Sequence, residues 1–503
     1  MLQYDDLTQP ERAVWDAFPE GRLVDLRSGV PEADDARQGQ GWGPERTVRA
    51  EVLAALLLGA NPAPPGALAA LRLAGARVVG TLDLAGADIA QTIRLRSCRL
   101  EEPVGLRGCT TRSIRLAECW VPGIDASMAR IEGRLNLHGT TVAGSRLTLI
   151  NTHISGELVL SEATLSADSG WALFAGGLVM EGAVFGRRLT ARGGLRLLGA
   201  QLSGGLFLDG ARLENPRGEA LLADNATMTT LEMTEGFGAT GAVRLRGAHI
   251  TNRLSLRGAV LGDPGAALDL ARVQAAELDL TPAVAPPGGV DLRSARVEVL
   301  RDNEAGRTAR LRLEGLAYAS LHADDVLPTG TGADAGARAG VSRRIAWIRR
   351  SPGYSPQPYE QLAGWYRQIG HDDDARLVLL AKQRHRRGTL HPVARCWGHV
   401  FDATVGYGYR PWRAGGWLLL LSLAGTLVFR SATPTASKQG EGPPFSALAY
   451  TLDLLIPIGG LGQRGAWHWR DDGPMALSYA LIAAGWLLTT AVVAGVTRSL
   501  NKN

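Results

Sequence analysis

The stretch LRLAGARVVGTLDLAGADIAQTIRLRSCRL, residues 71–100, decides the fold because it repeats itself every 11 residues. Equivalent apolar positions recur in successive units, as at Leu71, Leu82 and Ile93. Each unit contains an apolar-x-apolar pair, most often followed by Gly-Ala, which predicts a short strand with one apolar face and then a tight turn. Looser units of 10 or 11 residues continue to about residue 320. The period therefore predicts a stacked β-solenoid.

One unit is too short to close a coil around a filled core, so we expect two units per turn, roughly 20 to 22 residues. Three cysteines, Cys98, Cys109 and Cys119, fall at or near the small-residue position of the repeat. We expect them to pack in the core as free thiols rather than to form a disulfide framework. The chain is therefore predicted to be mainly β.

Composition and periodicity divide the 503 residues into five segments. In chain order, we predict a helical N-terminal cap over 1–67, the β-solenoid over 68–324, a Gly/Ala-rich linker over 325–342, a helical hairpin with an interfacial helix over 343–413, and a membrane segment over 414–503. Within the cap, Pro44 is predicted to begin a helix that runs to Leu58.

Two uncharged stretches predict a transmembrane helical hairpin. They cover 414–429 and 475–497, which give roughly 24 Å and 34 Å of helix. Basic residues precede the first span and follow the second, whereas the connection is acidic, so we expect two spans in the cytoplasmic membrane with both termini in the cytoplasm. The basic residues predicted to lie at the membrane surface are Arg384, Arg386, Arg387, Arg410 and Arg413.

Residues 445–456 are predicted to form a half-length apolar helix between the spans, and a Gly-rich turn follows it. This is the plan of a re-entrant pore loop, which would require an oligomer to enclose its non-helical backbone. The alternative is an interfacial helix on the outer surface with Asp453 facing water. The residues predicted to form the pore or re-entrant segment are Asp453, Pro457, Gly459, Gly460 and Gly462.

Two other motifs resemble functional sites. The letters TVGYG at 404–408 match a potassium-channel filter but precede the first span, so they predict a turn at the membrane surface. The letters GLGQRG at 460–465 match a dinucleotide fingerprint without a surrounding βαβ unit. No catalytic triad, P-loop or zinc pattern occurs, and the net charge of +5 is mild for this length. We therefore predict no active site, cofactor, metal or nucleic-acid partner.

The solenoid resembles pentapeptide-repeat proteins, since ADIAQ at 87–91 fits their A-[DN]-L-x-x unit. That resemblance implies right-handed coils. The order of WGPERTVRA at 42–50, the solenoid, YEQLA at 359–363, TVGYGYRPW at 404–412 and a hydrophobic hairpin is similar to a family of actinobacterial membrane proteins. Its members often carry the label "membrane-associated oxidoreductase", which implies a redox activity.

Three functions follow as hypotheses. The first is a membrane-anchored scaffold or sensor, whose cytoplasmic solenoid binds an unknown protein partner. The second is a homo-oligomeric, channel-like pore lined by the half-helix. The third is the oxidoreductase implied by the resemblance, which would need an electron carrier that no motif identifies. The lipid bilayer is the partner common to all three.

Overall fold

The computed structural model describes residues 3–262, 267–322, 333–408, 412–438, 443–456 and 460–500. The chain divides into two compact units, Met1–Gln361 and Leu362–Asn503. The helices of the first unit are α1 (Gln9–Ala17), α2 (Ala50–Leu57), α3 (Glu304–Thr308), α4 (Ala333–Arg349) and α5 (Gln357–Gln368), whose last turns belong to the second unit. Short 3-10 turns occur at Tyr4–Asp6, Phe18–Glu20, Ala36–Gly41 and Pro44–Arg46.

Two parallel sheets form the walls of the first unit. The 19-stranded sheet consists of Val24–Asp25, Ala70–Ala74, Asp88–Ile89, Thr92–Arg96, Thr110–Thr111, Ile114–Ala117, Arg130–Ile131, Leu135–Asn136, His153–Ile154, Leu158–Val159, Val179–Met180, Val184–Phe185, Gln201–Leu202, Leu206–Phe207, Thr227–Glu232, His249–Ser255, Gln274–Leu280, Arg296–Asp302 and Ala317–His322. The 16-stranded sheet consists of Thr47–Arg49, Arg77–Val79, Arg99–Leu100, Val104–Gly105, Trp120–Val121, Ile124–Asp125, Thr141–Gly144, Leu147–Thr148, Thr164–Phe174, Thr190–Arg196, Arg212–Leu222, Gly238–Arg244, Val260–Leu261, Leu268–Asp269, Val290–Asp291 and Leu311–Arg312.

The strand register confirms the predicted β-solenoid. Leu71 pairs with Ile93, and Ile93 pairs with Ile114, so two sequence units make one turn. The same column continues to Leu321 through eleven steps of 21 to 26 residues. The two longest steps contain strands with register shifts, Thr164–Phe174 and Arg212–Leu222, where extra residues bulge from the coil.

The predicted tight turns and buried cysteines are also confirmed. Gly86 adopts a left-handed conformation (φ 68°) and its N–H donates to Arg107 O of the next coil at 2.8 Å. Cys98, Cys109 and Cys119 are buried free thiols. Burial raises the pKa of the Cys109 thiol to about 11, so this thiol stays protonated and acts as a small apolar side chain.

The N-terminal segment covers the first coil by adding strands to it. Val24 pairs with Leu73, and Val48 pairs with Val78. The prediction of a helix from Pro44 to Leu58 is therefore wrong in its first half, because Thr47–Arg49 is a strand and α2 starts only at Ala50. The open edge of the first coil offers unpaired backbone groups, and pairing with them outweighs local helix propensity.

The C-terminal end of the solenoid is closed by α4 and the start of α5. Arg344 of α4 forms a buried ion pair with Asp302, donating from Nη2 to Oδ1 at 2.7 Å. Gln357 accepts from Gly315 N at 3.0 Å and donates to Leu316 O at 2.8 Å. Because α4 starts at Ala333, it includes ten residues of the predicted linker 325–342, and residues 325–332 lie outside the described residues.

The second unit is helical. Its helices are α6 (Asp372–Gly388), α7 (Pro392–Val405), α8 (Trp412–Ser431), α9 (Ala447–Leu455), α10 (Gln463–Ala466) and α11 (Asp472–Leu500). A 3-10 turn at Gly406–Gly408 follows α7, and Thr435–Ala436 pairs antiparallel with Trp467–His468.

Two of these helices, α8 and α11, are long and apolar enough to cross a membrane. They run antiparallel, since Ala414 clusters with Leu488 while Gly425 faces Leu481. Only 17% and 22% of their most apolar windows are buried. The core helix of a soluble domain would be mostly buried, so these exposed apolar surfaces fit a membrane protein with two spans.

Candidate functional site

The connection between α8 and α11 holds the predicted pore or re-entrant residues. Asp453 lies on α9, and Gly460 and Gly462 lie in the turn that leads to α10. Pro457 and Gly459 lie outside the described residues. Helix α9 begins because the Ser446 hydroxyl accepts a hydrogen bond from Ala449 N at 3.4 Å, an N-cap.

Helix α9 packs between the two apolar helices, α8 and α11, and contacts each of them at a glycine. A Cβ atom built on Gly425 of α8 would lie 2.5 Å from Thr451 Cγ2. A Cβ atom built on Gly485 of α11 would lie 2.3 Å from Leu455 O. Glycine thus permits backbone-close packing on both sides of α9.

Helix geometry gives the distance of these glycine contacts from the ends of α8 and α11. Gly425 lies about 9 Å along α8 from Ser431, and Gly485 lies about 20 Å along α11 from Asp472, at 1.5 Å per residue. Because the C-terminal end of α9 contacts Gly485, it reaches well along α11 instead of staying beside its first turns.

Asp453 fixes the turn that follows α9. Its Oδ1 accepts from Leu461 N at 2.8 Å, and its Oδ2 accepts from Gln463 N and from Arg464 N, both at 2.8 Å. The residue is 1% exposed. Both carboxylate oxygens are engaged by backbone N–H groups at the start of α10, so the carboxylate holds the returning chain against α9.

Gln463 ties the same turn to the beginning of α9. Its Nε2 donates to Pro444 O at 3.0 Å, and its Oε1 accepts from Ser446 N at 3.4 Å. Asp453 and Gln463 together hold the described residues 460–464 beside the segment 444–453.

An aromatic cluster covers the point where this loop meets α8. Phe429 stacks on Trp469 at 5.0 Å and meets Tyr450 edge-on at 5.0 Å. Trp469 Nε1 donates to Tyr450 Oη at 3.1 Å, which satisfies the buried indole N–H. Phe445 and Trp467 extend the cluster, and Trp467 Nε1 donates to Pro443 O at 3.2 Å.

These contacts bear on the two alternatives for the half-helix. The alternative of a surface helix predicts that Asp453 faces water, and this prediction is wrong. Asp453 is buried and accepts hydrogen bonds from Leu461, Gln463 and Arg464. The GLGQRG motif at 460–465 gives only the four-residue helix α10, and Asp453 occupies three of the N–H groups that a phosphate would use.

Three of the five predicted membrane-surface arginines contact Asp402 of α7. Arg384 donates to both carboxylate oxygens at 2.9 Å, and Arg387 donates to Oδ2 at 3.1 Å. Arg413, at the start of α8, donates to Asp402 O at 3.2 Å. Arg386 is exposed, and Arg410 lies outside the described residues.

The cluster around Asp402 stays cationic. Burial opposes ionisation of the Asp402 carboxyl, but hydrogen bonds from Arg384 and Arg387 lower its pKa below the usual value. One negative charge therefore lies among three arginines that join α6, α7 and α8. Within the TVGYG segment at 404–408, α7 ends at Val405 and a 3-10 turn follows at Gly406–Gly408, with Tyr407 at φ 54°.

Sequence reasoning missed Asp402, Gly425, Gly485 and Gln463. A single acidic residue within a basic segment is a usable signal for an ion-pair centre, as are lone glycines in apolar helices for close helix packing. Within the described ranges, no group of three or more His, Cys, Asp or Glu side chains could hold a metal ion. Comparisons of the chain with protein-family models, curated proteins and solved structures find no match.

Proposed function

We propose that this protein is a membrane-anchored scaffold, in which α8 and α11 span the cytoplasmic membrane and the β-solenoid presents a binding surface to a protein in the cytoplasm. The proposal depends on two features that occur in the same chain. One is a solenoid of eleven coil-to-coil steps, and the other is a pair of apolar helices whose apolar side chains are exposed. Solenoids use such extended regular surfaces for binding.

The proposed topology places both termini in the cytoplasm. Its support is the basic cluster of Arg384, Arg387 and Arg413 beside the start of α8, which suits the anionic inner leaflet. In this arrangement α9 enters the membrane from the outer side between α8 and α11. The turn held by Asp453 then directs the chain back to the outer side.

The scaffold proposal can be tested by photocrosslinking in native membranes. A photoreactive amino acid is placed singly at exposed positions around the solenoid, for example at Arg96, Asp88 and Arg310, in the full-length protein. We expect one heavier adduct from one face and none from the others. Adducts from no face, or equally from every face, would contradict a defined partner.

A pore is the second candidate function, because α9 and its Gly-rich turn lie between two apolar helices. A pore would require several copies around one axis, since the described loop is closed on itself by Asp453. Purified protein in planar bilayers should then carry current, and particle images should show rotational symmetry. Silent bilayers with well-ordered particles would remove this candidate.

The redox activity implied by the resemblance has a direct test. The protein purified in detergent should show the absorption of a flavin or haem, or should bind a nicotinamide nucleotide, if it transfers electrons. A colourless preparation that binds no nicotinamide would contradict that activity.

A further inference from the structure

Many arginines on the solenoid form ion pairs. About half of them face a carboxylate on the same or a neighbouring coil, and such pairs occur from the first coils to the last. Examples are Arg77 with Glu101, Arg96 with Glu118, Arg107 with Asp125, Arg134 with Glu157, Arg246 with Asp269 and Arg301 with Glu277. The charge of each of these arginines is thereby neutralised locally.

One column differs from these pairs because it places three arginines on successive strands. Arg72, Arg94 and Arg115 are exposed and stand directly opposite one another on three successive strands. In the part of the chain that the structure describes, none of their side chains has an ion pair or hydrogen bond. The strands that carry them lie about 4.8 Å apart, and like charges directly opposite each other on adjacent strands repel and destabilise the free protein. We call these three residues the arginine row.

The same column continues into uncharged positions. Asn136 follows Arg115, and the next strands present Val159, Phe185 and Phe207, each partly exposed. The next residue of the column is Glu232, opposite Phe207, and its charge is opposite to that of the arginines. A cationic stretch of about 10 Å is therefore followed by an apolar stretch, and the column from Arg72 to Phe207 is about 29 Å long.

We propose that the arginine row and its apolar continuation bind an extended acidic segment of a partner protein. The chemistry required is a run of carboxylates opposite the arginines and apolar side chains opposite Val159, Phe185 and Phe207. An extended chain of about nine residues covers 29 Å at about 3.3 Å per residue. This proposal rests on the scaffold function and names the surface and the partner chemistry for it.

Nucleic acid fits the column less well than an acidic protein segment. Single-stranded nucleic acid binds by stacking bases on open aromatic faces, along a groove that stays cationic. Here Phe185 is stacked on Phe207 at 5.4 Å, and Arg187 lies over the Phe185 ring at 5.5 Å. The Phe185 ring is thus covered on this side by protein groups, and the column itself carries no arginine after Arg115.

The test uses full-length protein in detergent and a fluorescein-labelled peptide of about ten residues, with three glutamates at one end and valine and two phenylalanines at the other. We expect saturable binding by fluorescence anisotropy that weakens as salt is raised. Arg94→Gln should weaken binding about tenfold, because a charge-assisted hydrogen bond is lost. Arg296→Gln, which removes an exposed charge from a distant coil, is the matched control and should bind like the unchanged protein.

Two further measurements separate binding from folding and from other ligands. The melting temperature of unliganded Arg94→Gln should equal or exceed that of the unchanged protein, since repulsion in the row is relieved. A lower melting temperature would assign the row a structural role and overturn the proposal. Failure of the peptide to bind, equal binding by the Arg94→Gln protein, or tighter binding of a ten-nucleotide thymidine strand would each overturn it. A crosslinked partner that the Arg94→Gln protein retains would leave the scaffold function standing without this surface.

Discussion

Replacing Asp453 with Ala should release the turn between α9 and α10. The carboxylate accepts three backbone N–H groups, of which that of Gln463 is buried and those of Leu461 and Arg464 are partly reached by water. The buried N–H left without a partner costs about 1–3 kcal/mol, and the two others about 0.5–1 kcal/mol each after they bond water. The turn should therefore open more easily by about 3 kcal/mol, roughly a hundredfold.

Hydrogen exchange measures this opening at the atoms concerned. The full-length protein in lipid nanodiscs is compared with its Asp453→Ala variant by mass spectrometry of peptides that contain residues 460–466. The amides of Leu461, Gln463 and Arg464 should exchange about a hundredfold faster in the variant, because exchange follows the population of the open state.

Two variants control the interpretation. Asp453→Asn keeps one acceptor oxygen and should give an intermediate rate. Asp471→Asn removes a carboxylate from the same connection without touching this turn, so it should leave the exchange of residues 460–466 unchanged. Unchanged exchange in Asp453→Ala would refute the claim that the carboxylate holds the turn.

Other predictions concern helix packing, the end of the solenoid and acid sensitivity. Gly485→Ala should destabilise the second unit by about 1–3 kcal/mol, because its Cβ meets backbone, whereas thermal melts should show no loss of stability for Gly416→Ala, whose Cβ meets nothing. Arg344→Met should cost about 3–5 kcal/mol by leaving Asp302 charged and buried, and Arg344→Met with Asp302→Leu should recover most of the melting temperature. Burial alone would raise the pKa of Glu11, but hydrogen bonds from Arg49 and Thr8 lower it to about 2. Since the pKa of Glu11 in the folded protein lies below its pKa in the unfolded chain, ionised Glu11 stabilises the fold above about pH 4.5. This stabilisation is lost as the pH falls towards 2. The melting temperature of Glu11→Gln should accordingly fall less over that interval, and an equal fall in both proteins would count against the Arg49 pair.

The repeat could be predicted from sequence because every coil gives its residues the same environment. Leu71, Ile93 and Ile114 occupy one column, so their spacing states the coil length directly. The apolar helices could be predicted because their exposed and buried faces are both apolar, which lengthens the uncharged run. Features of this kind depend on local pattern alone.

The remaining features depend on contacts between distant parts of the chain. Val48 becomes a strand because Val78 offers backbone groups to pair with, which no local propensity reveals. The Gly/Ala-rich start of α4 suggests a linker, yet Val341 and Trp347 are buried in the first unit. Asp453 binds backbone N–H groups, which every residue possesses, so no sequence motif identifies its partners.

The orientation of the two spans is most directly tested by labelling lysines. The chain has only three, Lys382, Lys438 and Lys502, and they lie before, between and after the two apolar helices. A membrane-impermeant amine reagent added to right-side-out vesicles should modify Lys438 and should reach Lys382 and Lys502 only after detergent opens the vesicles. Modification of Lys382 in sealed vesicles as fast as in detergent, or protection of Lys438 until the vesicles are opened, would contradict an inward solenoid held by two spans.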